Sequence, residues 1–152
     1  AYFADSIPFH LTTREFLEEV RQRLQPRGVV ASNIIGALSG HRSQLFRSML
    51  KTIRAVFPTT YVLAVGRTSG EAVDPVLRNL IVLATDRPQL RPEEFRQLVA
   101  GAEEQGLIPK DSASLAWSLV TEPIATDDVP VLTDDFAPVD QLVARLFVER
   151  GY

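Results

Sequence analysis

The chain has 152 residues, 45% of them hydrophobic and 23% charged, with a formal net charge of -3 and no cysteine. This composition suits one globular domain and excludes a disordered polymer. The weak negative balance leaves no basic footprint for nucleic acid, and the lack of cysteine excludes a disulfide scaffold or a thiolate metal site.

The opening run AYFADSIPFH lacks the basic start and long apolar stretch of a signal peptide. It begins on aromatic residues without an initiator methionine, so a further part of the polypeptide is expected upstream. Pro8 holds Ile7 extended. A helix is predicted over TTREFLEEVRQRL, with Phe16, Val20 and Leu24 on one face. Thr12 or Thr13 serves as its cap, and Thr12 with Glu15 has capping-box spacing. Pro26 and Gly28 end it.

GVVASNII, Gly28 to Ile35, reads as a strand buried on both faces, as in a parallel sheet. A helix follows over HRSQLFRSMLKTIRAVF, with Leu45, Met49, Ile53 and Phe57 at helical spacing and Pro58 as its stop. Strands are predicted at Thr60 to Arg67 and Asn79 to Asp86. The loop between them carries no helix signal, which predicts an antiparallel pair at a sheet edge. Pro92 opens the next helix at a favoured first-turn position, and Gly106 follows its end. SASLAWSLV is short and ambiguous. Pro138 starts a last helix whose apolar face is Val139, Leu142, Val143, Leu146 and Phe147. Trp117 and Tyr61 read as packing residues.

No glycine-rich nucleoside turn follows a first strand, and Gly36 to Gly40 has neither dinucleotide-site nor P-loop spacing. Two histidines cannot build a histidine-rich metal site. The acidic pairs at Asp127, Asp128, Asp134 and Asp135 match no calcium-loop spacing, so no metal is expected. No apolar run reaches the roughly 18 residues of a membrane span.

The segments IPFHLTTREF, LQPRGVVASNIIG, the helix ending in VFP, and VLTDDFAPVDQL resemble the bacterial spermidine synthase-like proteins. The matched segments span nearly the whole chain, and TDDFAPVD is the most specific of them. The resemblance implies an α/β chain, residues 1–152 being the carboxyl-terminal half of a Rossmann-like, class I methyltransferase fold. Its parallel sheet would end in an antiparallel edge, with GVVASNII as the fifth strand. The nucleoside-binding half would lie upstream, so this segment alone is expected to bind no cofactor. The complete domain would use decarboxylated S-adenosylmethionine, or S-adenosylmethionine, as co-substrate.

Alkyl transfer from a sulfonium to an amine needs an unprotonated nitrogen in line with the carbon and carboxylates that hold the cation and take its proton. By the resemblance, Asp5 is the candidate catalytic carboxylate. Tyr2 beside it offers an aromatic face to a cation. Asn33 aligns with a glutamine that meets the polyamine at the end of the fifth strand. His10, Asp134 and Asp135 complete the substrate-binding candidates. Each has a structural alternative: a turn residue for Asp5, a backbone brace for His10 and Asn33, a helix cap for Asp134 and Asp135.

The leading expectation is aminopropyl transfer to a small diamine such as putrescine, by part of a larger cytoplasmic enzyme. The alternatives are methyl transfer on the same fold and a non-catalytic interaction domain. A half-sheet leaves the inner edge of GVVASNII open, so the upstream half or a second chain, as in a homodimer, is expected to cover it.

Overall fold

The computed structural model of the chain describes residues 8–147; Tyr2 and Asp5 lie outside the described residues. A 3-10 turn at Phe9–Leu11 leads into helix α1, Arg14–Arg23. Thr13, not Thr12, caps α1 by accepting the Phe16 N–H. The Thr12 hydroxyl donates instead to the Phe9 carbonyl at 2.6 Å, and the expected capping box does not form. Strand β1 is Val29–Gly36, followed by a 3-10 turn at His41–Ser43 and helix α2, Gln44–Val56. Strands β2, Thr59–Ala64, and β3, Arg78–Thr85, come next. Helices α3, Pro92–Glu104, α4, Ser112–Ala116, and α5, Val139–Phe147, complete the order.

The three strands form one sheet in the order β1-β3-β2. β3 runs antiparallel to both neighbours, so β1 and β2 point the same way with β3 between them. The antiparallel β2–β3 pair agrees with its helix-free loop, because a parallel partner would need a crossover. The parallel pairing expected of GVVASNII is absent among the described residues. The returning strand takes the place beside β1.

Burial of β1 on both faces is also corrected. Ile34 is buried, but Val29, Ala31, Asn33 and Ile35 are exposed along the other face. The reason lies in the two layers. On one face of the sheet, Ile34, Leu80, Val82, Ala84 and Val62 pack against Leu17 of α1 and Phe46, Leu50 and Ile53 of α2. On the other, Tyr61 and Leu63 of β2 pack with Phe95 of α3 and Ala116 of α4, with Ile81 and Leu83 of β3 beside them. That second layer stops short of β1.

A third cluster joins Leu45 of α2 to Leu132 and to Val139, Leu142 and Leu146 of α5. Phe147, expected on the same face, is exposed at the end of α5. Tyr61 packs as expected: its ring stacks on Phe95, and its hydroxyl accepts the Leu90 N–H at 2.8 Å. Trp117 does not. The short α4 buries Ala116 instead, and Trp117 is 59% exposed, with the Arg96 guanidinium 4.6 Å from its ring centroid.

Candidate functional site

Two places combine polar side chains with a defined geometry. The first is the amino-terminal end of α1. There the Arg14 N–H donates to the Leu132 carbonyl at 2.9 Å, and this bond brings the distant TDDF segment to the helix start. Thr133 and Phe136 close a tight turn by exchanging backbone hydrogen bonds of 3.0 Å. The Asp134 N–H at its tip donates to the Glu15 carboxylate at 3.1 Å. Glu15 is held below the usual carboxylate range by its own backbone N–H, with the Asp134 N–H and Arg14 adding to the effect against some desolvation.

The carboxylates of Asp134 and Asp135 point outward from this turn, and Phe136 beside them is exposed. They do not cap α5, which begins beyond Pro138. His10 sits in the 3-10 turn that feeds α1; its carbonyl accepts the Thr13 hydroxyl at 3.3 Å, and its ring meets Phe9 edge-on. The structure therefore ties His10, Asp134 and Asp135 to the same end of one helix.

Asn33 is not part of that group. It lies inside β1, three residues before the strand ends, opposite Ile81 on the exposed face. The expectation that it ends the strand is corrected, because the ladder to β3 continues through Gly36 opposite Arg78.

The second place is a groove of about 440 Å3 at the carboxyl end of β1. Leu38, His41 and Gln44 line one side, and Pro123, Ile124 and Asp128 line the other. Arg47 of α2 organises this groove. Its guanidinium donates to the Ser43 hydroxyl at 2.9 Å, to the Ala125 carbonyl at 3.0 Å and, through both terminal nitrogens, to Asp128. Those hydrogen bonds hold the Asp128 carboxyl below its ordinary range.

Sequence reasoning missed Arg47 and Arg67. A signal was present in each case. Arg47 interrupts the helical run between Phe46 and Met49, and Arg67 follows the apolar strand run YVLAV. A charge among core residues has to find a partner.

The depressed carboxyls of Glu15, Glu122 and Asp128 make a pH prediction. Their folded values lie below their unfolded ones, so their stabilisation is complete above about pH 5.5, beyond the unfolded carboxylate range, and fades as pH falls through the folded values. Thermal unfolding should therefore be level near neutrality and drop in acid. Asp128→Asn should remove part of that acid-side slope. An unchanged slope in this variant would show that the Arg47 pair does not contribute to it.

Among the described residues, no cluster of three or more His, Asp or Glu side chains could hold a metal ion, and no helix is long and apolar enough to cross a membrane. No family model matches the chain, and no solved structure matches it. The chain is similar to a polyamine aminopropyltransferase of Vibrio vulnificus (strain CMCP6), with 27% identity over 144 residues. The match covers 93% of this chain but only 44% of the relative, so the chain spans less than half of that protein's length. At this level the similarity supports a distant spermidine synthase-like relationship for a chain of mixed helices and sheet.

Proposed function

We propose that this chain is the carboxyl-terminal part of a transferase that moves an aminopropyl group from decarboxylated S-adenosylmethionine to a small diamine such as putrescine. The observation that carries this reading is the similarity to an aminopropyltransferase along 93% of the chain. In the reaction the diamine nitrogen attacks the carbon next to the sulfonium. A C–N bond forms, the C–S bond breaks, and the electron pair goes to sulfur, leaving methylthioadenosine. The ammonium then gives its extra proton to a carboxylate.

Asp5 is our candidate for that carboxylate, with Tyr2, three residues before it in sequence, as the aromatic partner. The exposed acidic turn of Asp134 and Asp135, with Phe136 next to them and His10 in the turn that enters the same helix end, fits a role in attracting a cationic acceptor. Asn33 lines the open face of β1, where an incoming polyamine would meet an amide. In this reading the rest of the Rossmann-like sheet supplies the nucleoside site. The terminal edge of β1 and its exposed face, with Val29 52% and Ile35 57% exposed, suit burial against that upstream half; a second copy of the chain is the alternative cover.

The test uses the longest polypeptide that carries this chain, with decarboxylated S-adenosylmethionine and putrescine. Methylthioadenosine and spermidine should appear, and Asp5→Asn should lower kcat/KM by about 100-fold or more. Release of S-adenosylhomocysteine from S-adenosylmethionine instead would replace this reading with methyl transfer. Neither product would make the chain a non-catalytic interaction domain.

A further inference from the structure

Residues 121–129 cross from the end of β2 to α2 and supply Pro123, Ile124, Ala125 and Asp128 to the wall of the groove. This strap is held at one end from β2 and the loop after it, and at the other from α2. At one end the Val120 N–H donates to the Val62 carbonyl at 2.8 Å, and the Glu122 carboxylate meets Arg67 at 2.9 Å. At the other, Arg47 holds Ala125 and Asp128, and the Lys51 ammonium donates to the Val129 carbonyl at 2.8 Å. Between the pins, Ile124 inserts into the main core cluster.

The two arginines are not alike. Arg47 makes four hydrogen bonds, and its partner Asp128 is mostly exposed. The Arg67 side chain is 0% exposed, and Glu122 is 24% exposed. Only one Arg67 nitrogen has an acceptor; its Nε and Nη1 have none among the described residues. A guanidinium buried with two unsatisfied donors is a poor source of stability, because desolvation offsets the attraction to Glu122. Arg67 does, however, reach from the loop after β2 directly to the strap. The same loop carries Val73 on the groove wall.

We propose that Arg67 is a positioning residue whose ion pair with Glu122 fixes the near half of the strap, and with it the width of the groove at the carboxyl end of β1. Breaking the pair lets residues 121–124 move away between two remaining anchors, the Val120–Val62 backbone bond and the Arg47 contacts that keep residues 125–129 in place. The proposal stands on the described geometry and does not depend on the transfer reaction.

An asymmetry follows. Removing Arg67 leaves a carboxylate that water and Thr121 can still serve, since Glu122 accepts from the Thr121 N–H at 3.2 Å and from its hydroxyl at 3.3 Å. Removing Glu122 leaves a buried cation with no partner. Arg67→Met, which keeps the apolar stem, should therefore leave the thermal midpoint within ~3 °C of the parent, whereas Glu122→Ala should lower it by more.

The deciding measurement is hydrogen exchange on the longest polypeptide that carries the chain. In Arg67→Met, the amides of Thr121, Glu122 and Ile124 should exchange about tenfold faster, while those of residues 125–129, α2 and β3 keep their parent rates. Glu122→Ala should speed the same near half of the strap beyond any general rise. An unchanged strap in Arg67→Met overturns the proposal. So does a uniform rise across strap, α2 and β3, or failure of Arg67→Met to fold, because each would make Arg67 a general stabiliser. Failure to detect aminopropyl transfer would leave these exchange results as they stand.

Discussion

Phe46→Ala is expected to lower the unfolding free energy by about 3–5 kcal/mol. The Phe46 side chain is fully buried in the largest cluster, between α2 and the sheet. It also faces the end of β1 at close range: a Cβ at Gly36 would lie 2.9 Å from the Phe46 Cβ. The close approach of helix and strand needs a residue without a side chain at Gly36, and the Phe46 ring fills the core between α2 and the sheet. Truncation removes apolar burial and leaves a cavity that the rigid strand ladder cannot collapse into. Urea unfolding should show a lower midpoint with an unchanged slope. Leu107→Ala, at an exposed site, is the control and should shift stability by no more than about 0.5 kcal/mol. A loss of under about 1 kcal/mol in Phe46→Ala would mean that α2 does not pack on the sheet as described.

Leu132→Ala should cost about 2–5 kcal/mol, and its effect should reach the acidic turn. The Leu132 side chain is fully buried where α2 meets α5. Its backbone is held twice more. The Thr52 hydroxyl accepts the Leu132 N–H at 2.9 Å while donating to the Ser48 carbonyl at 2.7 Å, and the Leu132 carbonyl accepts the Arg14 N–H. One residue thus connects α1, α2 and α5 and places Thr133–Phe136 beside the helix start. Thr52→Val keeps the side-chain shape but strands the Leu132 N–H, at a cost of about 1–3 kcal/mol. Both variants should speed amide exchange at 133–136 relative to β3. Equal protection of the turn in parent and variants would show that Leu132 does not anchor it.

The acidic turn and the groove differ in how far local pattern could reveal them. TDDF is a compact run of adjacent residues, so its charge was readable as it stood, whereas its closed turn, in place of a cap on the last helix, came from the structure. The groove collects residues from four separate stretches of chain, among them Leu38, Arg47, Val73 and Pro123. Arg47 and Asp128 are 81 positions apart, and Arg67 and Glu122 are 55 apart. Pairings at such separation leave no periodic trace. Only the misplaced charge in an apolar run hinted at them.

Local chemistry by itself determined the elements: apolar repeats at helical spacing for α1, α2 and α5, Pro92 at the start of α3, β-branched runs for the strands, and a helix-free loop for the antiparallel β2–β3 pair. It also exposed the TDDFAPVD segment that carries the resemblance. Tertiary structure alone decided the order β1-β3-β2. An apolar strand run specifies that it will be buried, but not by which neighbour or on how many faces. GVVASNII has the composition of a two-face strand, yet among the described residues only the α1–α2 layer reaches it, because α3 and α4 bury their apolar surface on β2 and β3. Where each layer ends is set by packing between distant segments, and a pattern with a period of a few residues does not encode it.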